Sequence, residues 1–177
     1  TMKKIFLQCR ECHKQYDSTF KYICDDCFGP LDVHYEFPEI TKESFNGREQ
    51  TYWRYFELLP IVDKSNIVSI NAGMTPLVKA EKLGKELGLN NLYVKNDSVN
   101  PTFSFKDRPA GVAISKAKEF GLKSVGCAST GNLASATAAH AAKAGFPCYI
   151  FAPSDIEHAK IAQALSYGCE YISVDGT

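Results

Sequence analysis

The chain has 177 residues, 45% of them hydrophobic and 23% charged, with a formal net charge of zero. That length bounds the fold to one ordinary domain, or a small module joined to part of a larger one. Balanced charge gives no electrostatic case for nucleic acid or a membrane surface, and no apolar run reaches spanning length.

Residues 1–37 hold two C-x-x-C pairs, Cys9/Cys12 and Cys24/Cys27, with eleven residues between them, among the β-like runs KIFLQC and LDVHYEF. Four thiolates at this spacing can close around one tetrahedral ion, and the metal would supply folding energy that so small a module cannot draw from a core. A structural zinc ion on Cys9, Cys12, Cys24 and Cys27 is expected, in a zinc-ribbon-like module. His13 and Phe28 stand just after the pairs, where zinc knuckles often carry glycine. Reduced cysteines that have lost metal are the alternative. A thioredoxin-like role fits less well, because no strand–helix unit surrounds either pair. The start has no signal-peptide pattern, so a cytoplasmic protein is expected rather than a disulfide framework.

Residues 38–72 are aromatic and mixed in charge, with TYWRYFELLP predicted as a short helix stopped by Pro60. From Gly73 the texture becomes regular α/β. NNLYVKND reads as a strand, and DRPAGVAISKAKEFG as a helix with Ala110, Ala113, Ile114, Ala117 and Phe120 on one face. Pro109 suits its first turn and Gly121 its end. KSVGCA, PCYIFAP and CEYISV follow as strands, separated by the helices GNLASATAAHAAKAG and EHAKIAQALSYG. This alternation predicts an open, mainly parallel sheet with right-handed crossovers. The expected division is 1–37, 38–120 carrying Lys106, and a truncated small three-layer α/β domain at 121–177. Uncovered sheet edges would favour a homo-oligomer.

Two stretches can carry chemistry. CASTGNLAS places Ser129, Thr130, Gly131 and Asn132 between a strand and a helix, where open α/β sheets bind ligands. Free N–H groups at such a helix start suit a carboxylate or phosphate, though the same residues equally suit an ordinary helix cap. In NPTFSFKDR, Lys106 follows Phe103 and Phe105, whose rings could desolvate the amine and make it a Schiff-base nucleophile. A helix-start lysine with its stem packed on Phe105 is the plainer reading. Cys127, Cys148 and Cys169 read as small core residues, and His140 and His158 as structural.

Read in order, GMTPL (Gly73–Leu77), NPTFSFKDR and ASTGN resemble the fold-type II pyridoxal-phosphate-dependent enzymes (tryptophan synthase β-like), and among them the threonine synthase family. The likeness begins near Trp53, and the cysteine module is similar to that family too. It implies that Lys106 holds pyridoxal 5'-phosphate and shuttles protons, that Asn132 hydrogen-bonds the cofactor's 3′-oxygen, and that Phe105 lies beside it. It implies further that Ser129 and Thr130 grip the anionic end of an amino-acid substrate and that Thr75 lies near that substrate. The activity implied is conversion of O-phospho-L-homoserine to L-threonine. A dehydratase of the same fold, or a zinc-ribbon binding module without catalysis, are the alternatives.

The sequence departs from that pattern in three places. Phe103 stands where many relatives have glycine, and NAGMTPL lacks the acidic residue often found before the Gly-x-Thr-Pro-Leu turn. No glycine-rich phosphate loop follows Gly131. The chain is therefore expected to be an amino-terminal fragment that binds the cofactor weakly or not at all and turns over no substrate.

Overall fold

The computed structural model describes residues 3–37 and 39–176. Three sheets form in sequence, and their strands pair locally. β1 (Lys4–Cys9), β2 (Gln15–Asp17) and β3 (Leu31–Glu36) make an antiparallel sheet in the order β2-β1-β3, with Phe6 opposite His34 and Leu7 opposite Val33. In β1 the alternate residues Ile5, Leu7 and Cys9 are buried, the period-two signature of a strand with one covered face.

The segment expected as one helix before Pro60 is instead a run of 3₁₀ turns over Tyr52–Leu58, broken at Tyr55, where φ is −97° and ψ 30°. Aromatic side chains lose rotamer freedom in a helix, so packing decides the conformation here. Tyr52, Trp53 and Phe56 turn inward to form a small core with Ile61 and Ala72.

β4 (Leu77–Lys79) and β5 (Tyr93–Lys95) pair antiparallel, with Val78 opposite Val94. The NNLYVKND strand thus pairs outside the parallel sheet, within the 38–120 region. A two-turn helix, α1 (Glu81–Leu87), reverses the chain, and Gly88 in the left-handed region ends it, so β5 comes back beside β4. Leu77, Val78, Tyr93 and Val94 remain exposed.

The parallel sheet is β6 (Val125–Ala128), β7 (Cys148–Pro153) and β8 (Glu170–Val174), in the order β6-β7-β8. α3 (Asn132–Ala144) and α4 (His158–Ser166) are its crossovers, each close to the predicted range. α2 (Asp107–Glu119) packs on α3, whose alanines 134, 138 and 141 allow close approach. The buried face of α2 is turned from the predicted one, with Gly111 and Ser115 inside and Ala113 outside. Ile114, Val68, Cys148, Ile150, Ala164 and Cys169 complete this core. Among the described residues no helix is long and apolar enough to cross a membrane.

Candidate active site

Lys106 caps α2 from a turn whose burial pattern is inside out. Thr102 and Ser104 are buried, whereas Phe103 and Phe105 are 71% and 55% exposed. The phenylalanines therefore lie on the outer side of the turn, not packed into the core. The Lys106 ammonium, half-buried, lies 4.7 Å from the centre of the Phe105 ring.

The polar residues point inward because a buried carboxylate waits for them. Asp107, fully buried, accepts the Thr102 N–H at 2.8 Å and the Thr102 hydroxyl at 2.9 Å. Ser104 Oγ accepts the Lys106 N–H at 3.1 Å. The turn so closed puts Phe103 at φ 61°, in the left-handed region that costs a non-glycine residue about 1–2 kcal/mol. Glycine would adopt this backbone without strain, and here a bulkier side chain bears it.

Arg108 reaches the other way, into the Thr75 turn. Its Nε and Nη2 each donate to Asp97 at 2.8 Å, a two-pronged pairing, and Nη2 also lies 3.3 Å from the Gly73 carbonyl and the Thr75 hydroxyl. The Thr75 hydroxyl donates to Asp97 at 2.6 Å, and Lys95 donates to the Thr75 carbonyl. The Arg108 guanidinium holds the Asp97 carboxyl down at about 2. Buried Asn100 completes the tie, accepting the Gly73 N–H at 3.0 Å and donating to the Asp97 carbonyl at 3.1 Å. Thr75 borders a cavity of about 120 Å³ between Gln50, Asn71 and Asn100.

Ser129, Thr130 and Asn132 sit where β6 ends and α3 opens. Ser129 Oγ accepts the Gly131 N–H at 3.4 Å, and a β-carbon on Gly131 would meet nothing within 4 Å, so the helix start is open. Asn132 is exposed, and among the described residues no hydrogen bond joins it to Lys106. The structure thus brings Thr75 and the Lys106 turn into one network through Arg108, Asp97 and Asn100, and leaves the 129–132 loop separate.

Asp97, Asn100 and Asp107 escaped the sequence reading. Their only local signal is the Asp107–Arg108 pair behind the lysine; their hydrogen-bond partners lie 3 to 27 residues away.

The four cysteine sulfurs all lie within 4.8 Å of one another. Cys9 and Cys27 Sγ are 3.4 Å apart, Cys12 and Cys24 Sγ 3.6 Å. Backbone N–H groups of Cys12 and Asp26 point at Cys9 and Cys24 Sγ. The Tyr16 hydroxyl, 3.0 Å from Cys24 Sγ, pulls that thiol down to about 6. His13 and Phe28 adopt φ 61° and 58°, the conformation glycine would supply. Of the other cysteines, Cys148 and Cys169 are buried and Cys127 half-buried; burial pushes the Cys148 thiol up to about 11.

Residues 68–177 match the family model described as "Pyridoxal-phosphate dependent enzyme". The chain is 43% identical over 175 residues to a threonine synthase of Methanocaldococcus jannaschii, covering 96% of this chain and 43% of that one. It is 40% identical over 174 residues to a threonine synthase of Methanosarcina acetivorans, covering 96% and 42%. The chain therefore spans less than half the length of these curated relatives. Among solved structures, serine racemase from Dictyostelium discoideum superposes with a TM-score of 0.55 at 29% identity, over 58% of this chain and 34% of that one.

Proposed function

The chain belongs to the pyridoxal-phosphate-dependent enzyme family, and on that premise we propose that its residues serve a threonine synthase, a lyase converting O-phospho-L-homoserine and water to L-threonine and phosphate. The observation that carries this reading is the placement of Lys106 at the first turn of α2, on a loop fixed from inside by Asp107 and tied to the Thr75 turn by Arg108. Similarity to proteins named threonine synthase along nearly the whole chain supports the choice of substrate.

The residues present suit the cofactor in kind: a half-buried primary amine, an exposed carboxamide at Asn132, and an open helix start at Gly131. When bound, pyridoxal phosphate supplies an electron sink for the bonds around the substrate's α carbon. Lys106 Nζ would hold the cofactor's aldehyde carbon and would be the base that moves protons at the substrate's α and β carbons. Asn132 would donate to the cofactor's 3′-oxygen, and Phe105 would lie beside the cofactor. Ser129, Thr130 and the unpaired N–H groups opening α3 take the substrate carboxylate. Thr75 shapes the turn beside the substrate with its backbone, since its hydroxyl is committed to Asp97. No glycine-rich phosphate cradle occurs in the sequence after Gly131, so these 177 residues by themselves bind the cofactor weakly.

Four thiols within 4.8 Å, braced by backbone N–H groups and by Tyr16, support a structural zinc ion on Cys9, Cys12, Cys24 and Cys27. The zinc-ribbon-like module is then residues 1–37, with 38–120 belonging to the large cofactor domain and 121–177 to the small one.

The test is phosphate and threonine release from O-phosphohomoserine by the whole enzyme, with and without Lys106→Ala. Loss of both products in the variant is expected. Production of a 2-oxo acid from threonine, with no phosphate released from phosphohomoserine, would assign the protein to the dehydratases instead. For the 177-residue chain, borohydride trapping of cofactor on Lys106 together with threonine production would overturn the statement that it binds weakly.

A further inference from the structure

Behind Lys106, between α2 and α3, lies a polar cluster that the proposed chemistry does not use. His140 is fully buried, and neither ring nitrogen has a hydrogen-bond partner among the described residues. The Tyr52 hydroxyl is buried and unpartnered as well. His140 Nε2 lies 3.4 Å from Asp107 Oδ1, just beyond a good hydrogen bond. Gly111 is what lets the groups meet: a β-carbon there would overlap the Tyr52 hydroxyl and stand 2.8 Å from His140 Cε1. Three buried polar atoms left unpaired cost about 1–3 kcal/mol each, so an arrangement pairing all of them is strongly favoured.

We propose that Tyr52, His140 and Asp107 form a buried relay that positions Lys106. The Tyr52 hydroxyl donates to His140 Nδ1, and His140 Nε2–H donates to Asp107. Both bonds require the imidazole to reorient from its present position, in which Nε2 stands 3.4 Å from Asp107 Oδ1. The surroundings agree: burial and the Asp107 charge push the Tyr52 phenol well above its ordinary range, which keeps its proton available to donate.

The relay has work to do at Asp107. That carboxylate closes the Thr102–Asp107 turn with two bonds, and the turn contains the left-handed Phe103. A strained residue persists only where its surroundings over-determine it. Thr102 supplies that constraint from within the turn, and His140 supplies it from another helix. Because His140 lies on α3, the helix that Asn132 opens, the relay also fixes the lysine turn relative to that helix. Tyr52, His140 and Asp107 are thus positioning residues that act through the backbone before Lys106. The consequence for the cofactor rests on reading Lys106 as the cofactor lysine; the relay itself does not.

The test uses the 177-residue chain labelled with ¹⁵N-histidine, with His140 assigned through His140→Gln. One pyrrole-like and one hydrogen-bonded pyridine-like nitrogen are expected for His140. Tyr52→Phe should shift the Nδ1 resonance and Asp107→Asn the Nε2 resonance. Resonances unmoved by both substitutions would overturn the relay. Positioning is read by amide exchange at Thr102, whose N–H bonds Asp107, against Ile150 in the core of β7. Tyr52→Phe and His140→Phe should speed exchange at Thr102 at least tenfold more than at Ile150, whereas His140→Gln, which keeps a donor toward Asp107, should restore most of the protection. Equal acceleration at both amides would show a merely structural role and overturn the positioning claim. Borohydride trapping with pyridoxal phosphate, done on the whole enzyme, then separates the two readings. If Lys106 is no better labelled than Lys123, the cofactor-lysine assignment fails while the exchange data still judge the relay.

Discussion

Replacing Asp97 by asparagine removes the charge that binds the lysine helix to the Thr75 turn, at almost no change in shape. The carboxylate accepts two bonds from Arg108 at 2.8 Å and one from the Thr75 hydroxyl at 2.6 Å. Pairing with Arg108 first, and the Thr75 bond after it, hold its pKa at about 2 against an ordinary 3.8. A difference of nearly two pH units corresponds to about 2 kcal/mol. The Asp97 side chain keeps 20% of its surface exposed, so solvent screening makes that figure a ceiling.

The sign follows from which state binds the proton first. The unfolded carboxyl is protonated near pH 4 and the folded one only near pH 2, so the pair stabilises the fold fully above about pH 4 and ceases to as the pH falls toward 2. Urea unfolding at fixed ionic strength, run on both proteins from pH 7 to pH 2.5, measures it. At pH 7 Asp97→Asn should be less stable by up to about 2 kcal/mol, because Arg108 is left half-buried without its counter-charge. The gap should narrow below pH 4, since only the wild type has this carboxylate to lose. Parallel curves across the whole range would refute the reasoning.

Phe103→Gly should stabilise the protein by about 0.5–1 kcal/mol: relief of the left-handed strain outweighs the added flexibility of the unfolded chain, and an exposed ring loses little packing. A lower melting temperature would show that the ring makes contacts worth more than the strain. Gly111→Ala should cost about 1–3 kcal/mol by overpacking against Tyr52 and His140, and adding Tyr52→Phe should recover part of it; additive losses would place the clash elsewhere. Elemental analysis should find one zinc ion per chain. Chelation should erase the NMR signals of β1–β3 while leaving those of β6–β8, and a metal-free protein with intact β1–β3 would exclude the metal's structural role.

The parts of the fold that were legible in the sequence are those whose contacts are local or periodic. α3 and β7 fall close to their predicted ranges because an alanine-rich helix and a short apolar run between glycine and proline signals leave little choice. The cysteine cluster was legible because C-x-x-C fixes its own geometry. The β4–β5 pairing was not, since two three-residue strands carry too little pattern to announce a partner or a direction. Nor was the face of α2: Gly111 and Ser115 are buried for the sake of Tyr52, His140 and the Val68 N–H, the last bonded by Ser115 Oγ at 2.8 Å. These partners stand 29 to 59 residues away along the chain, where periodicity has no reach.

The lysine turn is the instructive failure. Hydrophobic patterning would bury Phe103 and Phe105 and expose Thr102 and Ser104, and the protein does the reverse. A buried Asp107 reverses the rule, because an ionised carboxylate without donors costs far more than exposing two phenylalanine rings. Once Asp107 is fixed inside, Thr102 must turn in to meet it, Phe103 must take a left-handed backbone, and Lys106 is delivered to the surface of the turn beside the Phe105 ring. Local propensity is overruled here in several ways within six residues, and such clustered violations mark functional sites, since nothing in stability alone selects for them. The exposed rings have the same cause as the placed amine. An aspartate that holds the lysine's turn from below leaves the aromatic side chains above it, on the face where the proposed cofactor ring would lie.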